Sequence, residues 1–493
     1  MPDEVPSLRE NSVRDRGYWY LMSGMAVVYL VLATLLPPLD DELYYWCWAQ
    51  NLQLSYFDHP PMSALFIRLS TMVFGDSVLA TRLPACVSTL IVVGILGRLM
   101  QPRNLWPWVI ATPLFTYGAV LITPDTPLLV FWTIYLAWLI AVHRRLTPEN
   151  PSLEVGRVPA WLWLIGGVIL GCGALGKYTM ALTVPASFIS FLLTGVSWKK
   201  WLPAYIGHGV VSFVLFLPVL VFNYQHDFAP IRFQWEHAMD SSNAGLKTFG
   251  EFVGIQMVLF GLLPFTLLPW VVMNVRTLAA DPRLRVCLCL YAIPFTFFLY
   301  KSCRGPLEGN WALASYIGFW PLAAHWFATV CPPRFYRLSL AIGFSLPLVL
   351  LLIVTTHLIV PIPFMQPSKD RISRQPVRLE VARQVAALIR ERNAGIPLYT
   401  PTYQWVAMLR FYGVDARQMD GISRPSNFTL HPDHLADVDE AYVWNEEVLR
   451  DELAEGYGEP ELVRSFPIIV RGEVISGLHL FRYKKLVVPF TPE

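Results

Sequence analysis

Long apolar runs separated by short polar connections fill the first three quarters of this chain. Crossing a bilayer takes roughly 20 apolar residues in a helix. On that measure about eleven spans are predicted, over 18–36, 78–98, 105–122, 127–143, 160–175, 178–195, 203–222, 249–273, 285–300, 311–330 and 338–360. Continuous runs differ from the short alternating segments of a transmembrane β-barrel, so the pattern predicts a polytopic α-helical membrane protein. From Gln366 onward charges and turn residues enter and no span-length run remains. Val377, Val381, Val385 and Leu388 lie near helical spacing and predict an amphipathic helix over Pro376–Asn393. Ile396–Thr400, Ala441–Trp444, Val463–Val470 and Leu478–Tyr483 read as strands, and Tyr403–Phe411 as a helix. The expected organisation is a membrane domain, 1–361, followed by a soluble α/β domain, 362–493, long enough to hold its own core.

The polar connections orient these spans. With the N-terminus inside, the inner loops carry Arg98 and Arg103; Arg144, Arg145 and Arg157; Lys199 and Lys200; Arg276, Arg283 and Arg285; Arg334 and Arg337. This is the positive-inside arrangement. The outer, exoplasmic side then receives the loop 37–77, the connections at Asp125 and Lys177, the segment 223–248, Lys301–Asn310 and the tail. Composition adds little beyond this. Of 493 residues 54% are hydrophobic and 15% charged, against about a quarter charged in a soluble domain. A net charge of +2 with no basic tract gives no reason to expect nucleic acid. Seven scattered cysteines without paired spacing suggest neither disulfides nor zinc. Met1–Arg16 is polar and its following run shows no cleavage pattern, so that run is expected to be a retained anchor.

Candidate chemistry collects on the outer side. Asp40-Asp41-Glu42 follows the first span, and carboxylates this close to hydrocarbon are costly unless solvated or paired. Tyr56-Phe57-Asp58-His59-Pro60-Pro61-Met62 sets an acid and an imidazole before two prolines. It lies between two short helical patterns, Glu42–Leu52 and Met62–Phe74, expected at the interface. Asp125, between Pro124 and Pro127, suits either helix capping or function. Lys177, in Gly176-Lys177-Tyr178-Thr179, is either a snorkelling cation or a phosphate contact. It lacks the context of a nucleotide-binding P-loop. Gln225-His226-Asp227 with Arg232-Phe233-Gln234, and Lys301, Arg304, Glu308-Gly309-Asn310-Trp311, complete the set. No cofactor is expected. Asp40, Glu42 and Asp125 alone do not make a divalent-cation site. Carboxylates with Lys, Arg and His at the mouth of a helical bundle suit transfer from a lipid-linked phosphate. Cations hold the departing phosphate, and a carboxylate takes the acceptor's proton. The rival is a transporter or flippase of a lipid-linked glycan, which needs charged or broken helices near the midplane. A membrane-anchored binding module is a third reading, weakened by the small size of the tail.

In order and spacing, these motifs, with Arg424-Pro425-Ser426 in the tail, resemble the bacterial members of glycosyltransferase family 39. That GT-C group includes protein O-mannosyltransferases and lipid A aminoarabinose transferases. The resemblance spans nearly the whole chain. It implies many transmembrane helices, interfacial helices in the first outer loop and a soluble exoplasmic C-terminal domain. It also implies a polyprenyl-phosphate sugar as donor, an exoplasmic lipid, glycan or protein as acceptor, and inversion at the sugar carbon. The family's general base maps onto Asp41, with Asp40 beside it, and its second outer acid onto Asp125. Glu42, Asp58, His59, Glu308 and Asn310 are expected around the substrates, Lys177 and Arg232 on the lipid phosphate, and Lys301 and Arg304 behind them. Aminoarabinose transferases carry Glu-Lys where this chain has Asp58-His59, which argues against assuming that donor.

Overall fold

The computed structural model describes residues 16–100, 112, 115, 118–147, 158–239, 241, 245–329, 331–363, 365–392, 395–430 and 434–486. The chain divides into two compact units, Met1–Leu35 with Gln53–Leu350, and Leu36–Leu52 with Leu351–Glu493.

Among the described residues the first unit has five helices long and apolar enough to cross a membrane. They are Gly17–Leu35, Val78–Leu99, Asp125–Leu146, Leu202–Gln225 and Pro282–Ser302. Asp125–Leu146 is the most enclosed, 78% buried over its apolar window against 17% for Gly17–Leu35, so it forms the centre of the bundle. It packs on Val78–Leu99, Ala160–Ala174 and Pro282–Ser302. Leu202–Gln225 shows how the surroundings shape the surface. Ile206, Val210, Phe213, Val214, Leu217 and Val221 recur at steps of three or four and are all exposed. Such an outward apolar stripe is solvated by lipid tails, not water. The opposite face meets Ala160–Ala174, where a Cβ on Gly171 would lie 2.8 Å from Leu215 Cβ. Small residues at the contact let the two backbones approach, as membrane helices do.

Several expected spans are interrupted. The run 249–273 forms two helices, Leu246–Phe260 and Leu263–Met273. They part at Gly261, whose φ of 72° ends the first, while Pro264 opens the second. The runs 178–195 and 311–330 begin as 3-10 segments, Tyr178–Leu182 and Gly309–Ser315, before turning α-helical. Of the expected span 105–122, residues 112, 115 and 118–122 are described, with Gly118–Val120 a 3-10 segment, and the rest lies outside the described residues, as do Arg103 and Arg157.

The second unit is built on a five-stranded sheet of β1 (Leu398–Thr400), β2 (Ala416–Gln418), β3 (Glu440–Asn445), β4 (Glu461–Val470) and β5 (Glu473–Lys484). Their order is β2-β1-β3-β5-β4. β1 runs parallel to β2 and β3, β5 antiparallel to β3 and β4. The helix Tyr403–Phe411 makes the crossover that a parallel pair requires. Arg471 and Gly472, both at positive φ, close the β4–β5 hairpin. Tyr399, Met419, Ala441, Val443, Phe481 and Tyr483 form the core of the sheet. The helix Asp40–Gln50, from the N-terminal part of the chain, packs in this unit against Tyr403–Phe411. Its Tyr44 ring lies 4.7 Å from Tyr403 and 5.3 Å from Phe428, and Trp46 lies 5.0 Å from Phe411.

Candidate active site

In the first unit three motifs meet at one carboxylate. Pro124 caps the helix Asp125–Leu146, so Asp125 sits in its first turn, where the helix dipole favours a negative charge. Its side chain reaches past the backbone. Lys177 Nζ donates to both oxygens, at 2.8 and 2.9 Å, and Asn310 Nδ2 donates to Oδ2 at 2.7 Å. Asp125 and Lys177 are each only 5% exposed. Backbone contacts fix the approach. Met62 N donates to Leu175 O at 2.9 Å, Ser63 Oγ to Thr123 O at 3.3 Å, and Gln256 Nε2 to Gly309 O at 2.8 Å. Gly309 is required here, because a Cβ would lie 2.0 Å from Ile255 Cγ2. Beside this knot lies a cavity of about 170 Å³, lined mostly by apolar side chains such as Val92, Leu129 and Leu313, with Asp125 and Asn310 in its wall.

A chain of rings joins the remaining motifs of this unit. Phe57 lies 5.0 Å from Phe233, Phe233 stacks on His237 at 6.5 Å, and His237 meets Trp311 edge-on at 5.7 Å. This brings the Asp58-His59 turn, the helix Ala229–Met239 bearing Arg232, and the Asn310 segment into one neighbourhood. Asp58 is buried and close enough to Tyr178 for its charge to act on it. Arg232 is exposed, and its Nη2 donates to Asp227 O at 3.0 Å. Lys301 is buried in the last turn of Pro282–Ser302, while Arg304 and Glu308 are exposed. Among the described residues no three His, Cys, Asp or Glu side chains gather as a metal cluster.

The other acids belong to the second unit. Asp40, Asp41 and Glu42 fill the first turn of Asp40–Gln50, again where the dipole favours carboxylates. Glu42 Oε2 accepts from Leu39 N at 3.0 Å, satisfying the helix start. Asp40 is ion-paired with Arg378 and accepts from Gln375 Nε2 at 2.9 Å. Asp41 Oδ1 accepts from the Tyr403 hydroxyl at 3.0 Å. Arg424 lies over the Tyr403 ring, 4.3 Å from its centroid, and close enough to hydrogen-bond the phenol oxygen. Burial first, then the charge of Asp41, push the Tyr403 hydroxyl well above the ordinary tyrosine range against the pull of Arg424. Tyr403 therefore stays protonated and can only donate to Asp41. Sequence reasoning placed Tyr403 on a helix and Arg424 in a motif, but gave neither a role at the acid. The aromatic Tyr403-Gln404-Trp405 start of an otherwise ordinary amphipathic helix was the available signal.

A lipid-facing helical bundle, a buried cation–carboxylate knot and a sheet unit holding the acid-bearing helix fit the membrane glycosyltransferase that the sequence motifs resemble. The comparisons agree. Residues 58–222 match the family described as dolichyl-phosphate-mannose-protein mannosyltransferase, a stretch that includes Asp58, His59, Asp125 and Lys177. The chain is 28% identical over 368 residues to the lipid A galacturonosyltransferase RgtD of Rhizobium johnstonii, covering 72% of this chain and 74% of that protein. Its fold is that of ArnT from Cupriavidus metallidurans. The apo form aligns with TM-score 0.62 and 14% identity over 94% of this chain and 98% of that one. The form bound to undecaprenyl phosphate aligns with TM-score 0.62 and 15% identity over 97% and 99%. The chain is thus a multi-pass membrane glycosyltransferase that uses a lipid-phosphate-linked sugar, with the fold of ArnT.

Proposed function

We propose that this enzyme moves a uronic acid from polyprenyl phosphate to a hydroxyl of a lipid A-type glycolipid on the exoplasmic face of the inner membrane. The relative that acts as a lipid A galacturonosyltransferase supports both the sugar and the acceptor. The lack of the Glu-Lys pair of aminoarabinose transferases at Asp58-His59 points the same way.

Asp41 serves as the base. The acceptor oxygen attacks the anomeric carbon from the face opposite the phosphate, the bond from that carbon to the phosphate oxygen breaks, and the configuration inverts. The acceptor's proton passes to Asp41 and then to water, while polyprenyl phosphate leaves with the electron pair. A phosphate is a good leaving group, so no strong acid is needed on the departing side. Lys177 and Arg232 hold the phosphate, with Lys301 and Arg304 behind them. Asp125 fixes Lys177, Asn310 extends that network, and Glu42, Asp58, His59 and Glu308 complete the surroundings of the substrates.

The observation that carries the reading is the meeting of Asp125, Lys177 and Asn310, the last two 52 and 185 residues away from the first. A simple N-terminal helix cap would not need a buried lysine and a distant asparagine. The test is mass spectrometry of lipid A from cells with and without the gene, complemented by Asp41→Asn. Wild type should add the increment of a hexuronic acid, and Asp41→Asn should add none at equal protein level. An aminopentose increment would overturn the sugar, and full transfer by Asp41→Asn would overturn the base. Translocation of a lipid-linked glycan into vesicles without a new glycosidic bond would favour a flippase.

A further inference from the structure

We infer that Tyr403 is a positioning residue for Asp41, with Arg424 acting on Asp41 through Tyr403. The inference rests on the proposed role of Asp41 as base. Asp41 lies on the short helix after the first span, and its hydroxyl donor comes from a residue 362 positions later in the chain. Two contacts fix the ring that carries this donor, and a third ties together the residues that make them. Tyr44 packs against one side at 4.7 Å, the Arg424 guanidinium lies over it at 4.3 Å, and the Tyr44 hydroxyl accepts from Asn427 N at 2.6 Å, tying the Arg424-Pro425-Ser426 turn to the acid-bearing helix. Ser426 anchors this turn from below. It is fully buried, its hydroxyl is bonded to Gln418 Oε1, and it accepts from Phe428 N at 3.1 Å.

The order of donors gives the device a direction. Arg424 has no acceptor function and Asp41, when ionised, has no donor function. The Tyr403 phenol accepts from the Arg424 guanidinium and donates to Asp41 Oδ1. A hydrogen bond to the charged form of a carboxylate favours that form and fixes which oxygen is occupied. A base that must meet an acceptor hydroxyl at hydrogen-bond distance gains from both effects. A tyrosine serving only to fill space would be replaced by phenylalanine without consequence, because Tyr44 and Arg424 contact the ring itself.

The experiment measures transfer against pH in detergent for wild type, Tyr403→Phe, Arg424→Gln, the double variant and Asp41→Asn. Tyr403→Phe should lower kcat by roughly tenfold to a hundredfold, the range of a hydrogen bond to a charged group, with KM for the donor little changed. Without the donor, protonation of Asp41 becomes easier, so the acidic limb of the kcat profile should move to higher pH. Arg424→Gln should move it the same way by less. The double variant should be no worse than Tyr403→Phe, since both residues work through one bond. Should Tyr403→Phe fail to accumulate, the limb shift of Arg424→Gln decides the same question. A Tyr403→Phe enzyme with wild-type kcat and pH profile, or a kcat loss with an unmoved limb, would overturn the inference. Additive losses in the double variant would also do so, by making Arg424 an independent substrate contact. Activity in Asp41→Asn would instead overturn the base assignment on which the inference stands.

Discussion

Removing the ammonium of Lys177 tests the buried knot most directly. At 2.8 Å, with an effective dielectric of about 20, its attraction to Asp125 is roughly 6 kcal/mol before the cost of taking both charges out of water. That cost offsets much of the gain, so the pair as a whole adds little net stability, but either partner left alone is expensive. Lys177→Met leaves the Asp125 carboxylate with the Asn310 bond alone and should destabilise the protein by about 3–5 kcal/mol. Asp125→Asn strands the ammonium and should cost a similar amount. The double variant replaces an ion pair by an amide and a thioether of matching length, and should lie within about 2 kcal/mol of wild type. Unfolding in detergent can be followed with a thiol-reactive dye, because Cys86, Cys287 and Cys289 are free and buried in the same unit. Single variants costing less than about 1 kcal/mol, or a double variant equal to their sum, would refute the reasoning. The same double variant separates architecture from chemistry. If it folds and transfers sugar at the wild-type rate, the proposed phosphate contact is not Lys177.

Further outcomes follow from other contacts. Gly309→Ala should destabilise by about 1–3 kcal/mol through overpacking against Ile255 and lower transfer by displacing Asn310. Adding Ile255→Ala should recover part of both, read by the same dye and by turnover. Asp370 is buried, accepts from Ser373 N at 3.0 Å, and lies 2.9 Å from His357 Nε2. His357 Nδ1 accepts from Ile362 N, so Nε2 carries the proton donated to Asp370. Burial works to raise the Asp370 carboxyl, but the bonds from Ser373 and His357 outweigh it and hold it below the ordinary value of 3.8. A depressed folded value means stability that is present above the unfolded value and lost as pH falls through the folded one. Asp370→Asn should therefore cost about 1–3 kcal/mol at neutral pH. The gap between the two melting curves should close only below about pH 4, and a gap that stays constant into acid would refute the assignment.

Span-length apolar runs made the class of fold legible, because a membrane helix must satisfy its backbone internally and cover itself in apolar side chains. Interruptions within runs were not legible. Gly261 and Pro264 lie inside an unbroken apolar stretch, and a break there leaves mean hydropathy unchanged. In the tail, Tyr403–Phe411 was readable to the residue, and the longer strands to within five residues at either end. β2 is three residues, Ala416-Arg417-Gln418, with only tertiary pairing to make it a strand. The acids, Lys177 and Asn310 were visible as candidates, but their pairings were not. Nothing in local spacing joins Asp125 to Asn310, or Asp41 to Tyr403, because such contacts depend on how distant segments pack.

The partners set the two proposed acids apart chemically. Asp125 accepts two bonds from an ammonium and one from an amide while almost fully enclosed. The oxygens of a carboxylate so engaged are committed to the ammonium and the amide. Asp125 suits holding Lys177 in place far better than removing a proton from an acceptor. Asp41 accepts a hydrogen bond at Oδ1 from the neutral Tyr403 phenol. A base must accept a proton and release it within each turnover. On the proposed reading this contrast assigns proton transfer to Asp41 and leaves Asp125 to position the cation that receives the departing phosphate. If Asp125→Asn with Lys177→Met keeps the pH profile of the wild type while losing rate, and Asp41→Asn loses all transfer, the division of labour holds. A displaced acidic limb in the Asp125 double variant would reverse it.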